Sequence, residues 1–290
     1  MSAPDLEKTD LNPKQLLLQG LEMRWENYQT ELKNCRDEFS EDSVHDLRVA
    51  TRRMLALIQL LKSISPRPRL KKMARAFKDQ LDEFDNLRDT QVILGELSEV
   101  LHEIPDLEDF EKYLRSYEEQ MMQDLRTRLK DRNTSGIEKW IHKTKEEIET
   151  WGADAFQTLI LDAVDEAYLI VRQRLGWVDL ARSSTIHRVR VAFKAFRYMV
   201  EIVHPLLPGF PRGILKEMNE YQTLMGNIQD VEVFAQTLAN FAKDEPFPDL
   251  EAVHRYYERR RSQAISTFAS EKDHLESFWR SSPNQPFPWE

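Results

Sequence analysis

The chain repeats itself. The stretch SVHDLRVATRR at 43–53 returns as TIHRVRVAFKAFR at 185–197. At an offset of 142 residues His45 falls opposite His187, Arg48 opposite Arg190, Val49 opposite Val191, Ala50 opposite Ala192 and Arg52 opposite Lys194. A second pair follows in the same order. NLRDTQVIL at 86–94 matches NIQDVEVFA at 227–235 at an offset of 141, with Asn86 opposite Asn227, Asp89 opposite Asp230 and Val92 opposite Val233. Between these anchors Lys71 stands opposite Arg212, and Arg75 opposite Lys216. Two motifs duplicated in order at nearly constant spacing require each half to build the same elements, which an old duplication explains most simply.

Those elements are helices. Apolar residues recur at helical spacing, and no segment alternates as a strand would. The 8 glycines among 290 residues also favour helix over sheet. Prolines act as punctuation at Pro66 and Pro68, Pro105, Pro205, Pro208 and Pro211, Pro246 and Pro248, and in the last eight residues. Between them the spacing predicts helices over 13–38, 43–64, 69–103 and 106–132, a short helix over 137–150, and a second set over 153–176, 184–204, 212–243 and 249–280. The expectation is an all-α fold of two pseudo-symmetric four-helix bundles. The first repeat would span 12–134, a linker helix 135–152, the second repeat 153–280 and a Pro-rich tail 281–290.

The net charge of −9 hides a sharp sorting by sign. Residues 43–78 carry ten Lys and Arg against Asp46 alone, and 182–216 carry seven against Glu201 alone. Taking this +9 and +6 from the total of −9 leaves −24 on the rest. A net-charge argument against anionic ligands therefore fails here. Cys35 is the only cysteine, so an intrachain disulfide and a thiolate metal cluster are both impossible, and a reducing compartment is expected. The start, MSAPDLEKTD, does not read as a signal peptide, and no apolar run approaches the roughly 20 residues of a membrane span. These features lead us to expect a cytoplasmic protein that does not enter the membrane.

Each copied helix is amphipathic. At 100° per residue His187, Arg190, Lys194 and Arg197 fall within about 80° of one another, and His45, Arg48 and Arg52 form the matching stripe. Arg53 is turned off it. Val44, Leu47, Met54, Ile58 and Leu61 lie largely on the opposite side. Most charge runs are solvated faces, but those faces mix signs, as 106–132 does here with DLEDFEKYLRSYEEQMMQDLRTRLKDR. The copied helices stack like charges, which costs folding free energy unless an anion offsets it. Lys71, Arg75 and Lys78 extend the cationic face at spacings i, i+4 and i+7, with Lys72 adjacent, and Arg212 and Lys216 repeat it more thinly. The histidines open both basic helices, where capping, packing and phosphate contact are all open roles. No nucleophile or carboxylate repeats with them, which argues against catalysis. Asp89 and Asp230 could each hold an arginine fork in place, or be ordinary surface carboxylates.

HDLRVATRR with NLRDTQVIL downstream, and HRVRVAFKAFRY with NIQDVEVF downstream, together resemble the CHAD domain, a helical domain named for its histidines. The resemblance covers roughly 12–280 and implies two pseudo-symmetric four-helix bundles around a basic cavity. It implies binding of inorganic polyphosphate and association with polyphosphate granules and their proteins. By position it implies ligand contacts at His45, Arg48, Arg52, Arg53, Lys72, Arg75, Lys78, His187, Arg190, Lys194 and Arg197. The sequence departs from the pattern where Leu55 stands opposite Arg197, Ala195 opposite Arg53 and Gln229 opposite Arg88. Some members carry a fused triphosphatase domain; no stretch here would house one, so binding without catalysis and without a cofactor is expected.

Three other readings compete. Phe193, Phe196 and Tyr198 near the second stripe could stack on nucleic-acid bases, though their spacing suits the packed side of the helix better. The tetrads Glu99–His102, Glu201–His204, Glu251–His254 and Glu271–His274 have the spacing of ferritin-like metal sites, in a chain so rich in Glu that chance matches are expected. The cationic face could also dock an acidic protein.

Overall fold

The computed structural model describes residues 12–152, 156–244 and 250–290, and every regular element among them is helical. α1 runs Pro13–Asp37, α2 Glu41–Ile64, α3 Pro68–Glu83, α4 Asp85–Val100, α5 Glu108–Lys130 and α6 Ser135–Thr150. α7 follows over Phe156–Gly176, α8 over Ser183–Val203, α9 over Ile214–Asp244 and α10 over Leu250–Glu271. Short 3-10 turns occupy Pro105–Leu107, His204–Leu206 and Lys272–Ser277. The break expected at Pro246 and Pro248, and the first residues of the helices expected from 153 and 249, lie outside the described residues.

Helix starts follow from local chemistry. Pro13 takes the first turn of α1, where its missing N–H is no loss, and Asn12 Oδ1 accepts from the Lys14 N–H at 2.9 Å. Ser40 and Ser43 cap α2 reciprocally. The Ser43 N–H donates to Ser40 Oγ at 3.2 Å, and the Ser40 N–H donates to Ser43 Oγ at 2.9 Å. This box fixes the start of the first basic helix just ahead of His45.

Two boundaries differ from expectation: the helix read to 280 ends at Glu271 and passes into the 3-10 turn Lys272–Ser277, and another is split. The single helix read over 69–103 is two helices, because the chain breaks at Phe84 (φ −97°, ψ −3°). The Phe84 ring is buried, and its N–H closes a tight turn onto Leu81 O at 3.1 Å. In the second half the corresponding span is unbroken, and α9 is one helix of 31 residues.

Two apolar clusters hold the helices. The larger joins α1, α2, α3 and the end of α5 with α6, α7, α8 and the first half of α9. The smaller joins α4 and the start of α5 with the far half of α9 and α10. Both take residues from both halves of the chain, and along the join α2 packs on α8 and α4 on α9. The Pro-rich tail belongs to the larger cluster. Trp279 and Phe287 pack with ring centres 4.9 Å apart, Phe287 stacks on Trp289 at 4.7 Å, and Trp289 meets Phe210 at 5.2 Å. Asp165 of α7 fastens this segment. It accepts from Trp279 Nε1 at 2.7 Å and from Arg280 through two bonds of 3.0 and 2.7 Å. No described helix is long and apolar enough to cross a membrane.

Candidate anion-binding site

Packing α2 against α8 brings the two basic stripes together. Arg48 and Arg52 from the first half meet Arg190 and Lys194 from the second. The Lys194 ammonium is pulled down to about 7, first by burial and then by Arg52, Arg190 and Arg48, with Asp85 acting the other way. Burial, and after it Arg48, also lower the pKa of Arg52, with Arg190 adding a smaller push. The charges that act most on each of these groups are thus the wall's own cations. Such a cluster disfavours the folded chain until a negative charge offsets it.

The two copies are not equivalent. Arg48 is buried, with 4% of its side chain exposed, and both terminal nitrogens have partners. Its Nη1 donates to Leu81 O at 3.0 Å, a carbonyl in the last turn of α3 before the Phe84 break, and its Nη2 donates to Asp85 Oδ1 at 2.7 Å. Among the described residues Arg190 makes no ion pair, and its Nε is buried without a hydrogen-bond partner. The carboxylate that holds Arg48 is therefore Asp85, which the sequence reading passed over, and not Asp89. The available signal was the residue just before the second repeated motif, where Asp85 stands opposite Gly226.

Asp89 lies on α4 and Asp230 on α9, two helices that pack on each other. Burial first raises the Asp89 carboxyl, Asp85 and Asp230 raise it further, and Arg48 and Arg190 act against them. Burial likewise raises Asp230, opposed first by Arg190 and then by Arg88, Arg260 and Lys194. The repeated aspartates thus border the wall without pairing directly with Arg48 or Arg190. His187 Nδ1 lies 2.6 Å from Gln229 Oε1 of α9. In the first half His45 is exposed, and Arg88, opposite Gln229, reaches instead to Glu41 at 3.0 Å.

The remaining candidates spread outward. Arg53 turns to Glu201 of α8 at 3.2 Å, off the stripe as its angle implied. Arg197 Nε donates to Gln222 Oε1 at 3.1 Å, and its guanidinium sits 4.5 Å from the Tyr198 ring centre. Lys72 lies 6.0 Å over the Trp140 ring of α6. Arg75 pairs with Asp79 at 3.7 Å, Lys78 with Asp82, and Lys216 with Glu220 at 3.5 Å, all on exposed helix surface. Such pairs are worth a few tenths of a kcal/mol, so they leave these cations free to exchange partners. Asp82 first, and Asp79 and Asp85 after it, raise the Lys78 ammonium. Lys71 and Arg212 are exposed.

Two competing readings meet obstacles. Phe193 and Phe196 are wholly buried, at 0% exposure, and cannot stack on bases. In the tetrads, Glu201 is taken by Arg53 and His204 stacks on Phe210 at 5.4 Å. Among the described residues no three His, Cys, Asp or Glu side chains gather as metal ligands would.

The fold and the wall define an all-helical protein whose duplicated basic helices converge. The CHAD domain family model matches residues 19–239, and the chain belongs to that family. The structure is similar to the crystal structure of the CHAD domain from the plant Ricinus communis, with a TM-score of 0.69 over 96% of this chain and 93% of that one. At 17% sequence identity, this likeness is one of fold. No curated protein matches the sequence.

Proposed function

We propose that this protein binds inorganic polyphosphate on the wall formed by Arg48, Arg52, Arg190 and Lys194, and does not turn it over. The observation that carries this reading is the meeting of cations from both halves around a lysine drawn down to about 7. Polyphosphate repeats a negative charge along a chain with no bases, so it asks for closely spaced guanidinium and ammonium groups and not for stacking rings. In this reading the two halves are pseudo-symmetric helical units, and their shared basic cavity runs outward over His45, His187, Arg197, Lys78 and the exposed cations of α3 and α9. Such a protein would sit in the cytoplasm at polyphosphate granules.

A melting experiment tests this. Long-chain polyphosphate should raise the melting temperature, because it binds the folded chain and relieves its cation repulsion. Orthophosphate at equal phosphorus should not, and excess single-stranded RNA should fail to displace the long chain. An unchanged melting temperature with long polyphosphate would remove the proposal. Displacement by RNA would move the reading to nucleic acid.

A further inference from the structure

The duplication places a clamp on Arg48 in one half and leaves its counterpart Arg190 without one in the other. At the 141-residue offset that aligns the downstream motifs, Leu81 corresponds to Gln222 and Asp85 to Gly226. These are the positions of both Arg48 acceptors. In the first half the break at Phe84 lets Leu81 O accept from Arg48, and Asp85 supplies a carboxylate. In the second half α9 runs straight through the same span, so its carbonyls are occupied by its own helical bonds. Gly226 has no side chain to offer. A Cβ built there would stand 3.8 Å from both Nε and Nη2 of Arg190, so the bare face of Gly226 lies directly against the guanidinium. Arg190 thus lacks both partners of its counterpart, and its Nε has none at all. A guanidinium left this way, partly buried beside two other cations, is costly unless a ligand completes it.

We infer that the primary phosphate grip belongs to the second half: Arg190, which no carboxylate pairs among the described residues, takes two non-bridging polyphosphate oxygens with Lys194 and Arg52 beside it, while Arg48 is an internal clamp for the α3–α4 break. This deepens the proposed function and rests on it. The ligand class is a condensed phosphate, whose paired oxygens match the two-pronged donor geometry of an arginine. Asp89 and Asp230 both feel the Arg190 charge without pairing with it.

The decisive variant adds a charge and deletes no cation. Gly226→Asp copies the first half into the second, and a Cβ there meets only ordinary van der Waals contacts, with the Arg190 guanidinium nearest. Gly226→Asn is the neutral isostere and controls for bulk. The full chain, as wild type and both variants, is titrated with long-chain polyphosphate at one salt concentration and melted without ligand. The Asp variant should bind about tenfold or more weakly than the Asn variant, as a new counter-ion on a key cation predicts. It should also melt above the Asn variant, because Arg190 then gains the partner that Arg48 has. If wild type binds polyphosphate and the two variants bind it equally, the inference falls and the proposed function stands. If wild type does not bind polyphosphate, both fall.

Discussion

Lys194 sits among Arg48, Arg52 and Arg190, and its ammonium is held at about 7 in place of its ordinary 10.5, first by burial and then by those cations. Below about 7 it is charged both folded and unfolded, and the folded chain bears the whole cost of the crowded charge. Between about 7 and 10.5 only the unfolded chain holds the proton, so the Lys194 contribution to stability rises with pH through that window. A bound polyanion reverses the preference by supplying the missing negative charge. Binding above pH 7 must then take up a proton, and affinity must fall as pH climbs from about 7 toward 10. Titration calorimetry at a pH of about 8.5, in buffers of different ionisation enthalpy, should show an uptake approaching one proton for wild type. Lys194→Arg keeps a charge that does not titrate in this range, and its heats should not depend on buffer. Equal buffer dependence in both would remove Lys194 from the wall. The cationic residues were legible in the sequence because a stripe of like charge, written twice, is improbable as a solvated face. Their partners were not. Whether an arginine is clamped or unpaired depends on one neighbour 36 or 37 residues away, and Asp85 and Gly226 look unremarkable until the fold sets them beside Arg48 and Arg190.

Helices were easier to read than their joints. Nine helical spans follow from periodicity and proline spacing, and their described ends mostly fall within a few residues of the structure. The break at Phe84 carries no proline or glycine; its ring is buried and the Leu81 carbonyl beside it accepts from Arg48 of α2, contacts that lie far off in sequence and carry no local signal. The terminal segment shows what proline spacing leaves unread. Its prolines mark the end of regular helix, and Trp279, Phe287 and Trp289 supply the ring surface that packs it down. Asp165 is the fastening. Its carboxylate, 6% exposed, receives three donors from Trp279 and Arg280. Removing it leaves Arg280, 13% exposed, without its counter-ion. Breaking a buried pair in this way costs about 3–5 kcal/mol, so Asp165→Ala should lower the free energy of urea unfolding by that amount. A loss under about 1 kcal/mol would show that the aromatic packing holds the segment without the ion pair.

At the scale of the whole molecule, two electrostatic effects of opposite sign act on an incoming polyanion. The wall attracts it at contact, and each phosphate neutralised should contribute about −0.7 to the slope of log affinity against log salt, the value for single-stranded chains. The body repels it at long range, because the net charge is −9 and the regions outside the two basic segments carry −24. Distance and screening decide which is felt. Near 0.15 M salt the Debye length is about 8 Å, so repulsion from distant carboxylates is largely gone while contact attraction survives. Near 0.01 M it is about 30 Å, and the acidic body acts across the approach path. The affinity curve should therefore fall steeply with added salt above about 0.1 M and flatten below about 0.05 M. A basic protein of similar size would show one straight line. Titrating long-chain polyphosphate into this protein across that range separates the cases. A straight line down to the lowest salt would mean that the acidic surface faces away from the path of the ligand, and that the sorting of charge along the chain serves solubility alone.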